Sequence, residues 1–335
     1  MKRQMLKACI GILMSLLLVA CGPTPEPEPQ MDEVTLQLQW TTQTQFAGYY
    51  VALSKGWYAE ENIDLTIEPG GPDVLPVDRV TSGIAQFGTA VLPDLVDAIE
   101  DGDDLVSIAQ IQQSSGLLLL AKKSSGISEP EDFVGKRVGV WLGGWETQFN
   151  ALIAQEGIDP DSFELVPQGF SMAPFLEGNL DVASAMIYNE YLTVLESGIS
   201  EDELNIIDYA DYNLDFPGDL LFTSRDLLGN DPDLCVRMLR ASLRGWEYAI
   251  KNPPETADIV IEYDQSGLLE YRHQLAMMKE VAKLVARSVR PIGYTERSDI
   301  VRVIATLSAY DVLQEDLQPE DVYDSAIWEQ ATAQE

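Results

Sequence analysis

The chain has 335 residues, 46% of them hydrophobic, and carries 55 acidic against 21 basic side chains for a net charge of −34. That length and apolar content support a large core and about two domains. A chain so negative repels phosphate backbones, which excludes nucleic acid as a partner, and it works mildly against anionic ligands.

The first residues set the compartment. Lys2, Arg3 and Lys7 precede an apolar run, Ala8–Ala20, that ends in Leu18-Val19-Ala20-Cys21-Gly22. This is the charged, apolar and small-residue order of a secretory signal. The run has 13 residues, whereas a spanning helix needs roughly 20. The Leu-x-Ala-Cys ending resembles a bacterial lipoprotein processing site, in which Cys21 becomes the lipidated N-terminus. An ordinary cleaved signal containing a cysteine is the alternative. Pro23–Pro29 alternates proline with threonine or glutamate and suits a tether. The expected plan is a signal over 1–20, a Pro/Glu tether over 21–33 and an extracytoplasmic, lipid-anchored body. Loss of Lys2, Arg3 and Lys7 with the leader takes the net charge to about −37.

Chemistry is sparse. Of the three cysteines, Cys9 lies in the leader, Cys21 is the expected lipid site and Cys235 stands alone. No Cys/His metal cluster is possible, and no metal or cofactor is expected. His273 is the one histidine, in Tyr271-Arg272-His273-Gln274, and no Gly-x-Ser-x-Gly turn occurs. It reads as a solvated helix residue.

Along the body, strand and helix alternate. Val34–Trp40 alternates apolar and polar residues as a strand does, Ala47–Trp57 is helical up to Gly56, and Leu65–Glu68 is a strand. Asp73–Ser82 is helical, Ala85–Gly88 a strand, Pro93–Glu100 a helix, and Leu105–Gln112 and Leu117–Ala121 are strands. The pattern restarts with strand Lys136–Trp141, helix Glu146–Glu156 and strands Phe163–Val166, Val182–Met186 and Leu204–Tyr209. After strand Leu220–Thr223 only helices follow. This predicts an α/β chain in which one lobe is inserted into another. Lobe 1 takes 34–121 and 220–335, lobe 2 takes 122–219, and two strands form the hinge. Ligands bind in clefts of that kind.

One string of motifs is specific. Trp40, Gln45-Phe46-Ala47-Gly48-Tyr49-Tyr50, Lys55-Gly56-Trp57-Tyr58, Gly70-Gly71-Pro72, Ser82-Gly83 with Ala85–Thr89, Gly169–Asp181 and Tyr188-Asn189-Glu190-Tyr191 occur in that order. Together they resemble the SsuA/THI5-like family of ABC transporter substrate-binding lipoproteins, and within it the thiamine-pyrimidine-precursor binding proteins. The resemblance implies a periplasmic-binding-protein-like fold of type II. It also implies an extracytoplasmic receptor that closes two lobes on a small heteroaromatic ligand and delivers it to an ABC permease, as a monomer.

The same resemblance places Trp40 and the Asn189-Glu190 pair at the cleft. The residues agree: an indole at a strand end can stack on a flat ring, and a carboxylate accepts strongly from ring or exocyclic N–H groups. Trp141 and Trp145 flank Gly143-Gly144 at the matching strand end of lobe 2, which gives two aromatic platforms facing across the cleft. Gln45 and Phe46 follow Trp40. Gly88-Thr89 and Gly143-Gly144 each stand before a predicted helix, so backbone N–H groups there can face a ligand. The ligand set is thus Trp40, Gln45, Phe46, Gly88, Thr89, Trp141, Gly144, Trp145, Asn189 and Glu190. The plainer readings are core packing for Trp40 and Trp141 and helix-dipole complementation for Glu190.

Three other functions compete. Riboflavin would use the three tryptophans as a wider sandwich. A sulfonate or taurine would need arginines, and none lies near either glycine turn. Thiamine pyrimidine synthases share the fold, and the resemblance puts their Schiff-base lysine at Ile84 and their histidine at Phe46. Their cysteine-rich run falls at Phe216-Pro217-Gly218-Asp219. Schiff-base chemistry needs an amine, so an enzyme is not expected.

Overall fold

Val34 and Leu36 alternate with polar neighbours, and both are buried on one face of the first strand. The computed structural model describes residues 31–71, 73–142, 146–286, 289–314 and 317–333. The leader and Cys21 lie outside the described residues. Asp32 and Glu33, read above as the end of the tether, begin the first strand and pair with Ile63 and Asp64. Their charge marks an exposed strand start, which composition alone makes look like linker.

The described strands are β1 (Asp32–Gln37), β2 (Ile63–Glu68), β3 (Phe87–Val91), β4 (Leu105–Gln110), β5 (Leu117–Lys122), β6 (Arg137–Val140), β7 (Glu164–Pro167), β8 (Val182–Met186), β9 (Leu204–Asp208) and β10 (Asp219–Ser224). They form two five-stranded sheets, in the orders β2-β1-β3-β10-β4 and β7-β6-β8-β5-β9. Each sheet carries one antiparallel strand, β10 in the first and β5 in the second. Those two strands are the ones the chain lays down on arriving from the other lobe. The two α/β lobes expected from the sequence are therefore present.

One boundary moves. The sequence pattern puts Leu117–Ala121 in lobe 1, but β5 sits between β8 and β9 in the second sheet. Leu117 to Ala121 are all buried, as a central strand covered on both faces requires. Such a run identifies a central strand without saying which sheet owns it. The crossings are instead the segments 111–116 and 209–218. They run together: the Ile111 and Gln112 N–H groups both donate to the Asp219 carbonyl, at 3.0 and 2.9 Å. Ser115 N donates to Asp215 Oδ1 at 2.8 Å. Gly218 permits the approach, because a Cβ there would lie 2.5 Å from Gln112 Oε1.

Helix Ala47–Ser54 holds the front of the first lobe. It lies on the long helix Pro232–Lys251 with glycine against glycine. A Cβ on Gly245 would stand 2.0 Å from the Gly48 carbonyl oxygen, and one on Gly48 would stand 2.2 Å from the Trp246 ring. This contact fixes the Gln43–Phe46 turn, which leads into that helix at the cleft. No helix among the described residues is long and apolar enough to cross a membrane.

Candidate functional site between the lobes

Trp40 stands three residues beyond β1, where its carbonyl accepts from Gly70 N at 2.8 Å. Only glycine fits at position 70, since a Cβ would lie 2.1 Å from the Leu38 carbonyl oxygen. Trp141 follows β6 on the other lobe and donates its indole N–H to the Gly169 carbonyl at 3.3 Å. The two indoles meet across the cleft, 5.9 Å between centroids and 67° between planes. Phe170, also from the second lobe, tilts onto Trp40 at 4.9 Å. Its tip reaches Gly71, where a Cβ would be 2.8 Å away. The expectation of two platforms facing each other is thereby corrected: the rings pack edge to face, the arrangement their quadrupoles favour. Trp40 is only 6% exposed, and about 10 Å³ of space remains among the rings and amides.

Beside the rings a chain of hydrogen bonds joins two buried carboxylates. Glu190, 4% exposed, accepts from Met186 N at 2.9 Å and from Asn189 Nδ2 at 2.8 Å. Asn189 Nδ2 also reaches Gln43 Oε1 at 3.4 Å, on the opposite lobe. Gln43 Nε2 donates to Gln45 Oε1 at 2.7 Å, and Gln45 Nε2 to Asp219 Oδ2 at 2.8 Å. Gln39 Nε2 completes Asp219 at 2.7 Å. Burial pushes the Glu190 carboxyl up to about 7, against the pull of the bonds from Met186 and Asn189. Burial likewise pushes Asp219 up to about 7, against the bonds from Gln45 and Gln39. No lysine or arginine lines this space among the described residues.

The structure brings Trp40, Gln45, Trp141, Asn189 and Glu190 to one cleft. It does not bring Phe46, which is fully buried in the core of the first lobe. Gly88 and Thr89 are also displaced from their expected role. They lie inside β3, paired to β10, and the next helix begins only at Leu92 with Pro93 in its first turn. Their backbone groups belong to the sheet, and Thr89 Oγ1 takes the Gln39 N–H at 2.9 Å. Gly144 and Trp145 lie outside the described residues. Glu190 does begin a helix, but both its oxygens are engaged as described.

His273 is not a solvated helix residue. Its side chain is 16% exposed, with Nδ1 2.9 Å from Glu196 Oε2 and Nε2 2.9 Å from Asn189 Oδ1. Ile84 is 52% exposed in the turn before β3, at the strand end away from the cleft. A missing lysine at that position therefore says nothing about cleft chemistry. Sequence reasoning missed Gln43, Phe170 and Asp219. Asp219 had a signal, an acid leading the apolar strand Leu220-Leu221-Phe222 at the return crossing. Phe170 had none beyond its place in a glycine-flanked loop.

Comparison with known proteins follows the same lines. A sequence model of the family described as NMT1/THI5 like matches residues 43–256. Among named relatives, riboflavin-binding protein RibY of Chloroflexus aurantiacus is 29% identical over 276 residues, 76% of this chain and 77% of its own length. The formylaminopyrimidine-binding protein of Halalkalibacterium halodurans is 23% identical over 325 residues, 94% of this chain and 97% of its own length. The 4-amino-5-hydroxymethyl-2-methylpyrimidine phosphate synthase of Legionella pneumophila is 30% identical over 233 residues, 68% of this chain and 73% of its own length. In fold, the alkanesulfonate-binding protein SsuA from Xanthomonas axonopodis, solved with MOPS, superposes with a TM-score of 0.65 at 14% identity. That match covers 90% of this chain and 100% of that one.

Proposed function

Since this chain belongs to the NMT1/THI5-like family, we propose that it is the solute receptor of an ABC importer, binding a planar N-heterocycle between its lobes. The first choice is a pyrimidine of the thiamine-precursor type. The observation that carries the reading is the meeting of Trp40, Trp141 and Phe170 beside the Glu190–Asn189–Gln43–Gln45–Asp219 chain. A ring entering there parts Trp40 from Trp141, and it meets buried oxygens and amides suited to N–H donors and ring nitrogens. Opening pivots on the segments 111–116 and 209–218. Closure follows because the ligand touches both lobes, so the closed state gains by the difference in affinity.

Cleft composition supports binding over the competing functions. Sulfonate recognition calls for cations, and the described lining at the rings and hinge has none, Arg272 standing in the outer groove. Schiff-base chemistry calls for a lysine amine, which that lining does not supply. Relatives with binding-protein and synthase names both exist, so the lining argues for the receptor. On this reading the chain works outside the cytoplasm as a monomer, anchored through Cys21, and docks its closed form on a permease.

A second reading is favoured by one feature. Gln43 and Asn189 also border an open groove of about 740 Å³, lined by Thr193, Glu196, Arg272 and His273. A ring carrying a long hydroxylated tail, as riboflavin does, has room there. Native mass spectrometry and an absorption spectrum of protein purified from cells distinguish the two. A colourless protein with a bound mass of a small pyrimidine supports the first choice. Flavin absorbance supports the second, and a co-purified anion would contradict both.

A further inference from the structure

A second chamber lies at the hinge and shares Met186 with the lining of the aromatic site. Asp94, Gln112, Gln148, Met186 and residues 216–219 are among its walls, so both lobes and both crossing segments contribute. Its space is about 20 Å³, room for one amino-sized group, given that a water needs roughly 10–15 Å³.

Two of its polar atoms are buried without a hydrogen-bond partner among the described residues: Asp94 Oδ1 and Gln112 Nε2. Gln112 is 1% exposed. The Tyr188 hydroxyl lies near enough to act on Gln112, but neither atom completes a well-formed hydrogen bond. Unpaired buried groups of this kind are costly and rare. They are complementary in sign, one acceptor and one donor. Asp94 also lines a groove of about 190 Å³ on the first lobe, together with Asp78, Asp97, Asp101 and Asp103, and no lysine or arginine among the described residues lines it.

We propose that the hinge chamber is a second recognition point, where Asp94 accepts from an N–H or ammonium donor of the bound solute and Gln112 donates to an acceptor beside it. This rests on the reading of the cleft as a solute site and narrows the solute to an amino-substituted N-heterocycle. The acidic groove favours a donor-bearing or cationic solute over an anion. The Asp94 carboxyl is held well above the usual range by burial first and then by Glu146 and Asp97. A donor supplied by the ligand relieves that cost.

The test uses 4-amino-5-hydroxymethyl-2-methylpyrimidine and its 4-oxo counterpart, titrated by calorimetry into the wild type and Asp94→Asn. The wild type should favour the amino compound at least about tenfold, and the variant should lose most of that preference. An unchanged ratio in a variant that still binds overturns the proposal alone. A wild type that binds neither compound removes the thiamine-pyrimidine choice on which the proposal rests. Melting of the ligand-free proteins guards against a folding artefact. Asp94→Asn and Gln112→Met should melt at or above the wild type, because groups kept for a ligand do not stabilise the free fold. If both melt several degrees lower, the pair serves the fold and the proposal falls.

Discussion

His273 Nε2 lies 2.9 Å from Asn189 Oδ1, so a first-lobe helix holds the second-lobe residue that carries Glu190. The other ring nitrogen meets Glu196, also on the second lobe. His273 thus fastens the closed form. His273→Ala should remove about 1 kcal/mol of closed-state stabilisation, or roughly fivefold in ligand affinity, with melting little changed. Calorimetric titration measures this, with small-angle scattering of the free protein as the check on opening.

Trp40 touches both Trp141 and Phe170, so it is the ring whose loss most disturbs the cleft. Trp40→Ala should weaken ligand binding by about tenfold or more, and Trp40→Phe by less, since a smaller ring keeps part of the contact. Indole fluorescence should change on binding in the wild type and change less in either variant.

Glu190 and Asp219 bind their protons more tightly folded than unfolded, since both stand near 7 against ordinary values of 4.5 and 3.8. Their sign is opposite to that of a salt-bridged acid. The ligand-free protein should gain stability as pH falls from 8 toward 5, on the order of 2 kcal/mol per group, and lose it as pH rises through 7. Asp181, which Arg137 holds below the ordinary range, works the other way, but only below its unfolded value of 3.8. Urea unfolding at pH 5 and 8 should show the trend, and the Glu190→Gln, Asp219→Asn double variant should reduce it, with Asp94, also raised by burial, keeping the remainder.

Gly245 faces the Gly48 carbonyl so closely that an added Cβ would lie 2.0 Å from its oxygen. Gly245→Ala should cost about 2–3 kcal/mol, because backbone rather than a movable side chain must yield. The displaced helix Ala47–Ser54 carries the Gln43–Phe46 turn, so ligand affinity should fall together with the melting temperature.

Local pattern made much of this legible. The strand of alternating Val34 and Leu36, the two-lobe plan and the cleft positions of Trp40, Trp141, Asn189 and Glu190 follow from periodicity, strand-end logic and family resemblance. What escaped was tertiary pairing. The run Leu117–Ala121 looks the same in either sheet, and Gly88-Thr89 looks like a helix-capping turn until β10 is seen beside it. His273 seemed solvated because the partners that enclose it, Asn189 and Glu196, are distant in sequence. Phe46, beside Gln45, turns into the core because helix Ala47–Ser54 is locked on Trp246.

The central claim is that a planar N-heterocycle binds between the lobes. Calorimetric titration of the purified protein with formylaminopyrimidine and with riboflavin, run in parallel on Trp40→Ala, tests it most directly. The account predicts saturable one-to-one binding of one of the two, with heat and affinity sharply reduced in the variant. Binding that is undiminished in Trp40→Ala, or no heat from either compound, would contradict it.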